Sequence, residues 1–158
     1  MIMQAAAGQD FADCPILQAD GWPGSEAGFE AALSRLWGAA LPATVGDWVA
    51  VGETRILRLA PRRFWRIGGE PVPSAPLDRT GALTPLAEGR VACRLAGPGA
   101  RRRLEEFIAV DWDAPACRPG RAVLAGIHRI PVCVIRLAPD RFDLIVPRSF
   151  ARSVAELL

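Results

Sequence analysis

The side chains that could do acid–base, nucleophilic or metal chemistry are few in this sequence, and their spacing is poor for it. His128 is the only histidine, in Ala125-Gly126-Ile127-His128-Arg129-Ile130 on an expected strand. A general base needs a nucleophile or carboxylate within reach, and no motif near His128 supplies one, so we read it as structural or solvent-facing. The four cysteines, Cys14, Cys93, Cys117 and Cys133, form no C-x-x-C pair. Zinc sites use ligand pairs two to four apart, so we expect no metal and read the cysteines as reduced core thiols. No P-loop, dinucleotide-binding glycine fingerprint, G-x-S-x-G elbow or H-E-x-x-H occurs. The expectation is no catalytic residue.

Three polar groups remain as binding candidates. Arg62, Arg63, Trp65 and Arg66 form a basic–aromatic cluster. Arginine and aromatic residues dominate protein interfaces, and the cluster is expected to contact a partner. Asp111-Trp112-Asp113 reads as a helix-exit loop whose tryptophan plugs the edge of the core. Arg148 is expected to dock a partner, with Ser149 as N-cap of a last helix and Phe150 in the core.

The elements that must position these groups come in two similar sets. Seven of the twelve positions Ile56 to Ile67 recur 78 residues later, at Val134 to Ile145, with Arg58-Leu59-Ala60-Pro61 matched by Arg136-Leu137-Ala138-Pro139. In both, proline is pre-set for the second turn position of a hairpin. Pro23-Gly24 and Pro98-Gly99 lie 75 apart and each leads into a helical pattern. Phe29, Leu33, Leu36, Trp37 and Ala40 make one apolar stripe, ended by Pro42. Leu104, Phe107 and Ile108 make the other, with Pro98 at the first helical position. Arg101/Glu105 and Arg102/Glu106 are i,i+4 pairs on its exposed side.

Strands are expected at Cys14–Trp22, Trp48–Val51, Thr54–Leu59, Arg63–Ile67, Arg90–Ala96, Val123–Ile127, Val132–Leu137 and Phe142–Val146. Phe150, Val154 and Leu157 lie on one face of a closing helix. The fold class is α+β: two pseudo-symmetric strand–helix–strand units with helices packed on antiparallel sheet. We expect a single globular body over 1–158, with duplicated halves at 10–67 and 83–158 joined by a Gly/Pro-rich linker at 68–82.

Composition sets the outer limits. The chain has 158 residues, 51% of them hydrophobic, and a formal net charge of +2. That is about one domain with a substantial core, and too little charge to argue for nucleic acid. All 19 basic residues are arginine. No basic–apolar leader and no stretch of ~18 apolar residues is present. A cytoplasmic protein that neither crosses a membrane nor binds nucleic acid is expected.

The second half also carries a recognisable pattern: Gly89-Arg90-Val91, then Leu95-Ala96-Gly97-Pro98-Gly99-Ala100-Arg101 and Leu104, Asp111, Pro119-Gly120, and finally Val146-Pro147-Arg148-Ser149-Phe150-Ala151. It resembles the gamma subunits of heterotetrameric sarcosine oxidases, within the folate-binding aminomethyltransferase (glycine-cleavage T-protein-like) superfamily. The first half adds Gly38-Ala39-Ala40-Leu41-Pro42 and the Leu59-Ala60-Pro61 hairpin, where Arg62-Arg63-Phe64 replaces the family's Asp-Glu-Trp.

The resemblance implies a non-catalytic subunit of a flavin-dependent complex that oxidatively demethylates sarcosine and passes the one-carbon unit to tetrahydrofolate. It implies a large alpha-type flavoprotein partner, with FAD, FMN, NAD and tetrahydrofolate in partner subunits and no cofactor in this chain. The alternative is a stand-alone folate-binding or aminomethyltransferase-like module. For that module the resemblance offers Asp111, with Trp112 beside it, as the folate candidates.

Overall fold

The computed structural model describes residues 11–72, 77 and 79–158. The chain divides into two compact units, Pro15–Leu86 and Ala87–Leu158, the latter completed by the segment ending at Cys14. The division falls at 86/87, so the described part of the Gly/Pro-rich stretch belongs to the first unit. Leu77 is buried there, with Val72 packed against the same core. Residues 73–76 and 78 of that stretch lie outside the described residues.

The first unit contains β2 (Ile16–Gly21), α1 (Glu26–Trp37), β3 (Trp48–Val51), β4 (Thr54–Ala60), β5 (Arg63–Ile67) and β6 (Gly81–Pro85). These strands form one antiparallel sheet in the order β3-β4-β5-β2-β6. β6 begins at the end of the expected linker and runs into the start of the expected second half. As an edge strand it tolerates Pro85, opposite Leu17.

Phe29, Leu33 and Trp37 of α1 bury against Ala19, Ile56 and Phe64. The helix stops at Gly38, before Pro42. Gly38 takes a left-handed φ of 62°, and the amide of Ala39 reaches back to the Ser34 carbonyl at 3.2 Å. Gly21 pairs with Gly81 across β2 and β6. A Cβ on Gly21 would stand 2.6 Å from the Phe29 ring, so the helix seats its phenylalanine where the sheet carries no side chain.

The second unit contains β1 (Ala12–Asp13), β7 (Arg90–Ala96), α2 (Ala100–Glu105), β8 (Ala122–Ile127), β9 (Ile130–Ala138), β10 (Arg141–Pro147) and α3 (Ala151–Leu157). Its strand order is β1-β7-β10-β9-β8, antiparallel throughout. Read from the other edge, it matches the first sheet strand for strand: β8-β9-β10-β7 corresponds to β3-β4-β5-β2, with β1 in the place of β6. Leu104, Ile108, Trp112, Val134, Phe142, Leu144 and Val154 centre its core.

Several local expectations change. α2 has six residues, its N-cap is Gly99, and Pro98 therefore precedes the helix. Glu106 pairs with Arg103 at 3.1 Å in place of Arg102, while Arg101–Glu105 forms at 2.7 Å. His128 lies in the β8–β9 turn at φ 54°, exposed, with its ring edge-on to Phe107 at 6.2 Å. The N-cap of α3 is Phe150, which is 43% exposed, and Ser149 belongs to a 3-10 turn over Arg148–Phe150.

All four cysteines are buried and none is in a disulfide. Burial, with Asp143 nearby, pushes the Cys93 thiol up to about 12, and burial does the same to Cys133. No helix among the described residues is long and apolar enough to cross a membrane.

Arg94 and Asp143 sit opposite each other on β7 and β10 and form a bidentate pair, Nε–Oδ1 2.6 Å and Nη2–Oδ2 2.9 Å. Asp143 is fully buried, and the bonded carboxylate raises the guanidinium pKa. Removing one partner of a buried pair leaves a desolvated charge. Asp143→Ala should therefore cost about 3–5 kcal/mol in denaturant unfolding, whereas replacing both residues by apolar ones of similar volume should cost far less.

Candidate functional site

The repeated Arg-Leu-Ala-Pro element builds the same device in each unit. In the first hairpin Arg58 pairs with Phe64 and Ala60 with Arg63, leaving Leu59 as the extra residue of a bulge. In the second, Arg136 pairs with Phe142 and Ala138 with Arg141, leaving Leu137. The bulge turns each arginine over the ring opposite it, at 5.0 Å for Arg58–Phe64 and 5.4 Å for Arg136–Phe142.

Each guanidinium also closes its own turn by donating to the proline carbonyl, Arg58 to Pro61 at 2.7 Å and Arg136 to Pro139 at 3.0 Å. Each arginine backbone holds the incoming loop as well. Gly46 donates to the Arg58 carbonyl, and Arg58 N–H donates to Asp47. Gly120 and Arg121 do the same for Arg136. The two arginines differ in how their charge is met. Arg58 has Glu30 at 2.8 Å and the Pro42 carbonyl at 3.2 Å. Arg136, 5% exposed, donates to the carbonyls of Trp112 and Cys117, both at 2.8 Å.

The expected basic–aromatic cluster splits along β5. Arg62 and Arg63 are exposed at the hairpin tip, where they line an open cleft of about 340 Å³ with Asp20, Gly21, Ala60 and Pro61. Arg62 pairs with Glu26 at 3.1 Å and Arg63 with Asp20 at 2.7 Å. Glu26 titrates below the usual carboxylate range because its own amide and that of Gly24 bind it, followed by Arg62. The cleft therefore carries both signs of charge.

Trp65 is buried, and its indole N–H donates to Gln18 Oε1 at 2.8 Å. Arg66 lies toward the other end of the strand. It donates to the Gly68 carbonyl at 3.1 Å, and burial lowers its pKa.

Trp112 is brought to Arg136, which donates to its carbonyl, while Asp111 stays exposed. The Trp112 ring stands edge-on to Phe142 at 5.5 Å and is buried, as a core-edge plug should be. Asp111 Oδ1 accepts from the Asp113 amide at 3.0 Å, an Asx turn that leads the chain around Trp112. Asp113 is held in a fork by Arg101 at 2.8 and 2.9 Å, which lowers its pKa. Arg148 donates to the carbonyls of Glu88 at 2.9 Å and Ala87 at 3.1 Å and pairs with Asp13 at 2.8 Å. It thus ties β1 and the 3-10 turn at Ala87–Gly89 to the end of β10. Among the described residues no group of three or more His, Cys, Asp or Glu could hold a metal.

Arg58 and Arg136 were not singled out from sequence, although their identity in both copies of the repeat was the available signal. The acids that meet the hairpin tip, Asp20 and Glu26, come from β2 and α1.

No protein-family model matches the sequence, and none of the curated proteins matches it. Solved structures do. A chain of the heterotetrameric sarcosine oxidase from Corynebacterium sp. U-96, in complex with pyrrole 2-carboxylate, superposes with a TM-score of 0.79 at 25% identity, over 94% of this chain and 78% of that one. The glycine cleavage system aminomethyltransferase T from Bartonella henselae superposes with a TM-score of 0.60 at 16% identity, over 96% of this chain and 45% of that one. This chain has the aminomethyltransferase-like fold. Both proteins fall in the superfamily that the sequence resembles, and the bulged arginine hairpins described above are how this chain builds that fold.

Two measurements test the site. Arg136→Lys keeps the charge but loses the planar fork that reaches three carbonyls. With hydrogen bonds to charged groups worth about 1.5–3 kcal/mol each, both Arg136→Lys and Arg136→Ala should destabilise the fold by about 3 kcal/mol or more, and by more than Arg58→Ala. The Asp113 carboxyl, followed by NMR, should titrate below the ordinary aspartate value of about 3.9 and return to it in Arg101→Ala. With the folded pKa depressed, the pair's contribution is present above that value and is lost as pH falls through the folded pKa.

Proposed function

We propose that this chain is the non-catalytic gamma-type subunit of a flavin-dependent, sarcosine oxidase-like complex, where it serves assembly and stability. The observation that carries this reading is the similarity to a chain of a heterotetrameric sarcosine oxidase over 94% of this chain. The side chains that sequence offered for binding support it. Asp111, Trp112 and Arg148 are spent on loop, core and strand contacts, which suits a subunit that hosts no reaction.

In this reading the partner is a large alpha-type flavoprotein subunit. FAD, FMN, NAD and tetrahydrofolate lie in partner subunits, and the assembled complex oxidatively demethylates sarcosine with tetrahydrofolate as one-carbon acceptor. Arg62 and Arg63, exposed at the mixed-charge cleft, contact the partner. Buried thiols without a disulfide suit the reducing cytoplasm. The same reading takes the two units as copies of one duplicated strand–helix–strand repeat. The matched strand orders and the shared arginine contacts support that.

Co-expression with the large flavoprotein subunit, with the tag on this chain, tests the proposal. The two should co-purify in fixed ratio with flavin absorbance, while the isolated chain carries no flavin. An untagged large subunit in the flow-through would overturn it. Binding of tetrahydrofolate by the isolated chain in calorimetry would favour the stand-alone folate module instead.

A further inference from the structure

The open edge of the second sheet lacks the protections that edge strands ordinarily carry. β8, Ala122-Val123-Leu124-Ala125-Gly126-Ile127, is the terminal strand of its sheet. Exposed edges are normally blunted by charges, proline, bulges or short length. β8 has no charge and no proline, and it runs six residues in unbroken register with β9.

The phase of its hydrogen bonding follows from Pro131, which lies opposite Gly126 and has no N–H to give. Bonded and non-bonded pairs alternate in antiparallel ladders. Gly126, Leu124 and Ala122 are therefore in the non-bonded phase, and their N–H and C=O groups point away from β9; Ala122 is buried, so the open part of the edge is at Leu124 and Gly126. Val123, Ala125 and Ile127 pack toward the core. Leu124 is 58% exposed and Gly126 is exposed, so a second backbone can approach there.

The stretch of chain that forms this edge carries charge of one sign, with Asp111 from the preceding loop lying near Cys117. From Ala114 to Pro139 there are four arginines and no acid. Arg118 and Arg129 are exposed at the two ends of β8, and among the described residues neither has a carboxylate partner. A second copy pairing antiparallel about Leu124 would set Arg129 against the partner copy's Arg118 region, so charge disfavours self-association.

We propose that β8 is a docking edge for an extended segment of a different protein, apolar at its centre and acidic at both ends, which adds as a further strand. This goes beyond the assembly role proposed above by naming the surface and the chemistry of what it takes. It rests on that reading only if the segment belongs to the large subunit.

The test uses the full chain and two fluorescent peptides of alternating valine and threonine, one ended by glutamate pairs and the other by lysine pairs. By anisotropy at low salt the glutamate peptide should bind about tenfold or more tighter than the lysine peptide, with the difference shrinking at high salt. Leu124→Pro, which removes an outward N–H, and Leu124→Lys, a charge of the kind that guards edges, should each weaken binding about tenfold with unchanged circular dichroism. Equal binding of the two peptides, or undiminished binding by Leu124→Lys, overturns the docking edge, as does displacement by single-stranded RNA of a peptide that Leu124→Lys still holds. Peptide binding without capture of the large subunit would sink the subunit reading and keep the edge. Capture that survives Leu124→Lys, with no peptide binding, would do the reverse.

Discussion

The arginine at each hairpin bulge, buried at Arg136 and half-buried at Arg58, is the contact on which the rest of the structure leans. A guanidinium taken out of water must find acceptors for its donors. In the second unit the two terminal nitrogens of Arg136 find them in three separate stretches of chain, the loop at Trp112, the 3-10 turn at Cys117 and its own turn at Pro139, while its Nε is buried without a partner among the described residues. Because those partners are backbone carbonyls, they fix chain paths rather than side chains. The long connection from α2 to β8, which has no extended strand or helix of its own, is thereby given one course. Phe142 supplies a ring beneath the charge, and Trp112 packs edge-on to that ring, so one residue joins the polar and apolar parts of the core. In the first unit Arg58 does similar work with a carboxylate, Glu30, reached from α1.

An all-arginine protein suits this arrangement. The planar fork makes several directed bonds at once, and Arg94, Arg101, Arg136 and Arg148 each bridge two or more acceptors. Lysine offers a single point of charge and could not span the Trp112 and Pro139 carbonyls together. The consequence for function is that most of the charge visible in the sequence is structural. Among the arginines that remain outward are Arg62 and Arg63 at the hairpin tip and Arg118 and Arg129 at the rim of β8, along with Arg102, Arg141 and Arg152.

Much of the fold was legible because periodicity and turn chemistry are local. The stripe at Phe29, Leu33 and Trp37, the Ala60–Arg63 and Ala138–Arg141 turns and the strand at Arg90–Ala96 all stand where sequence placed them. The failures share one cause, a tertiary contact overriding a local signal. Gly81–Pro85 lies across the end of the expected linker, with no strand expected there, but gains a neighbour in β2. His128 looked like a strand residue among apolar neighbours, yet Ile127 pairs with Ile130 and forces it into a turn. Trp65 read as part of a hairpin-tip cluster, and Gln18 on the adjacent strand supplied the indole with a half-buried partner. Arg136 could not be read as buried from its neighbours, since three of its acceptors lie up to 24 residues away. The open phase of β8 depends on Pro131 facing Gly126, a register that sequence alone does not fix.

The placement of β1 has a further consequence, for the order in which the molecule assembles. The first unit is one continuous stretch, Pro15–Leu86, and everything it needs is present once that stretch has been synthesised. β1 precedes it in the chain but pairs with β7, Ala12 opposite Ala92. During translation β1 must therefore wait, unpaired, while the unit that follows it closes. It is taken up only when the strand some eighty residues later leaves the ribosome. Chains generally fold from the N-terminus as domains emerge. Here β1 is made before the first unit yet finds its place after it, and the bonds from Arg148 to Ala87 and Glu88 and to Asp13 can close only once β10 has been made.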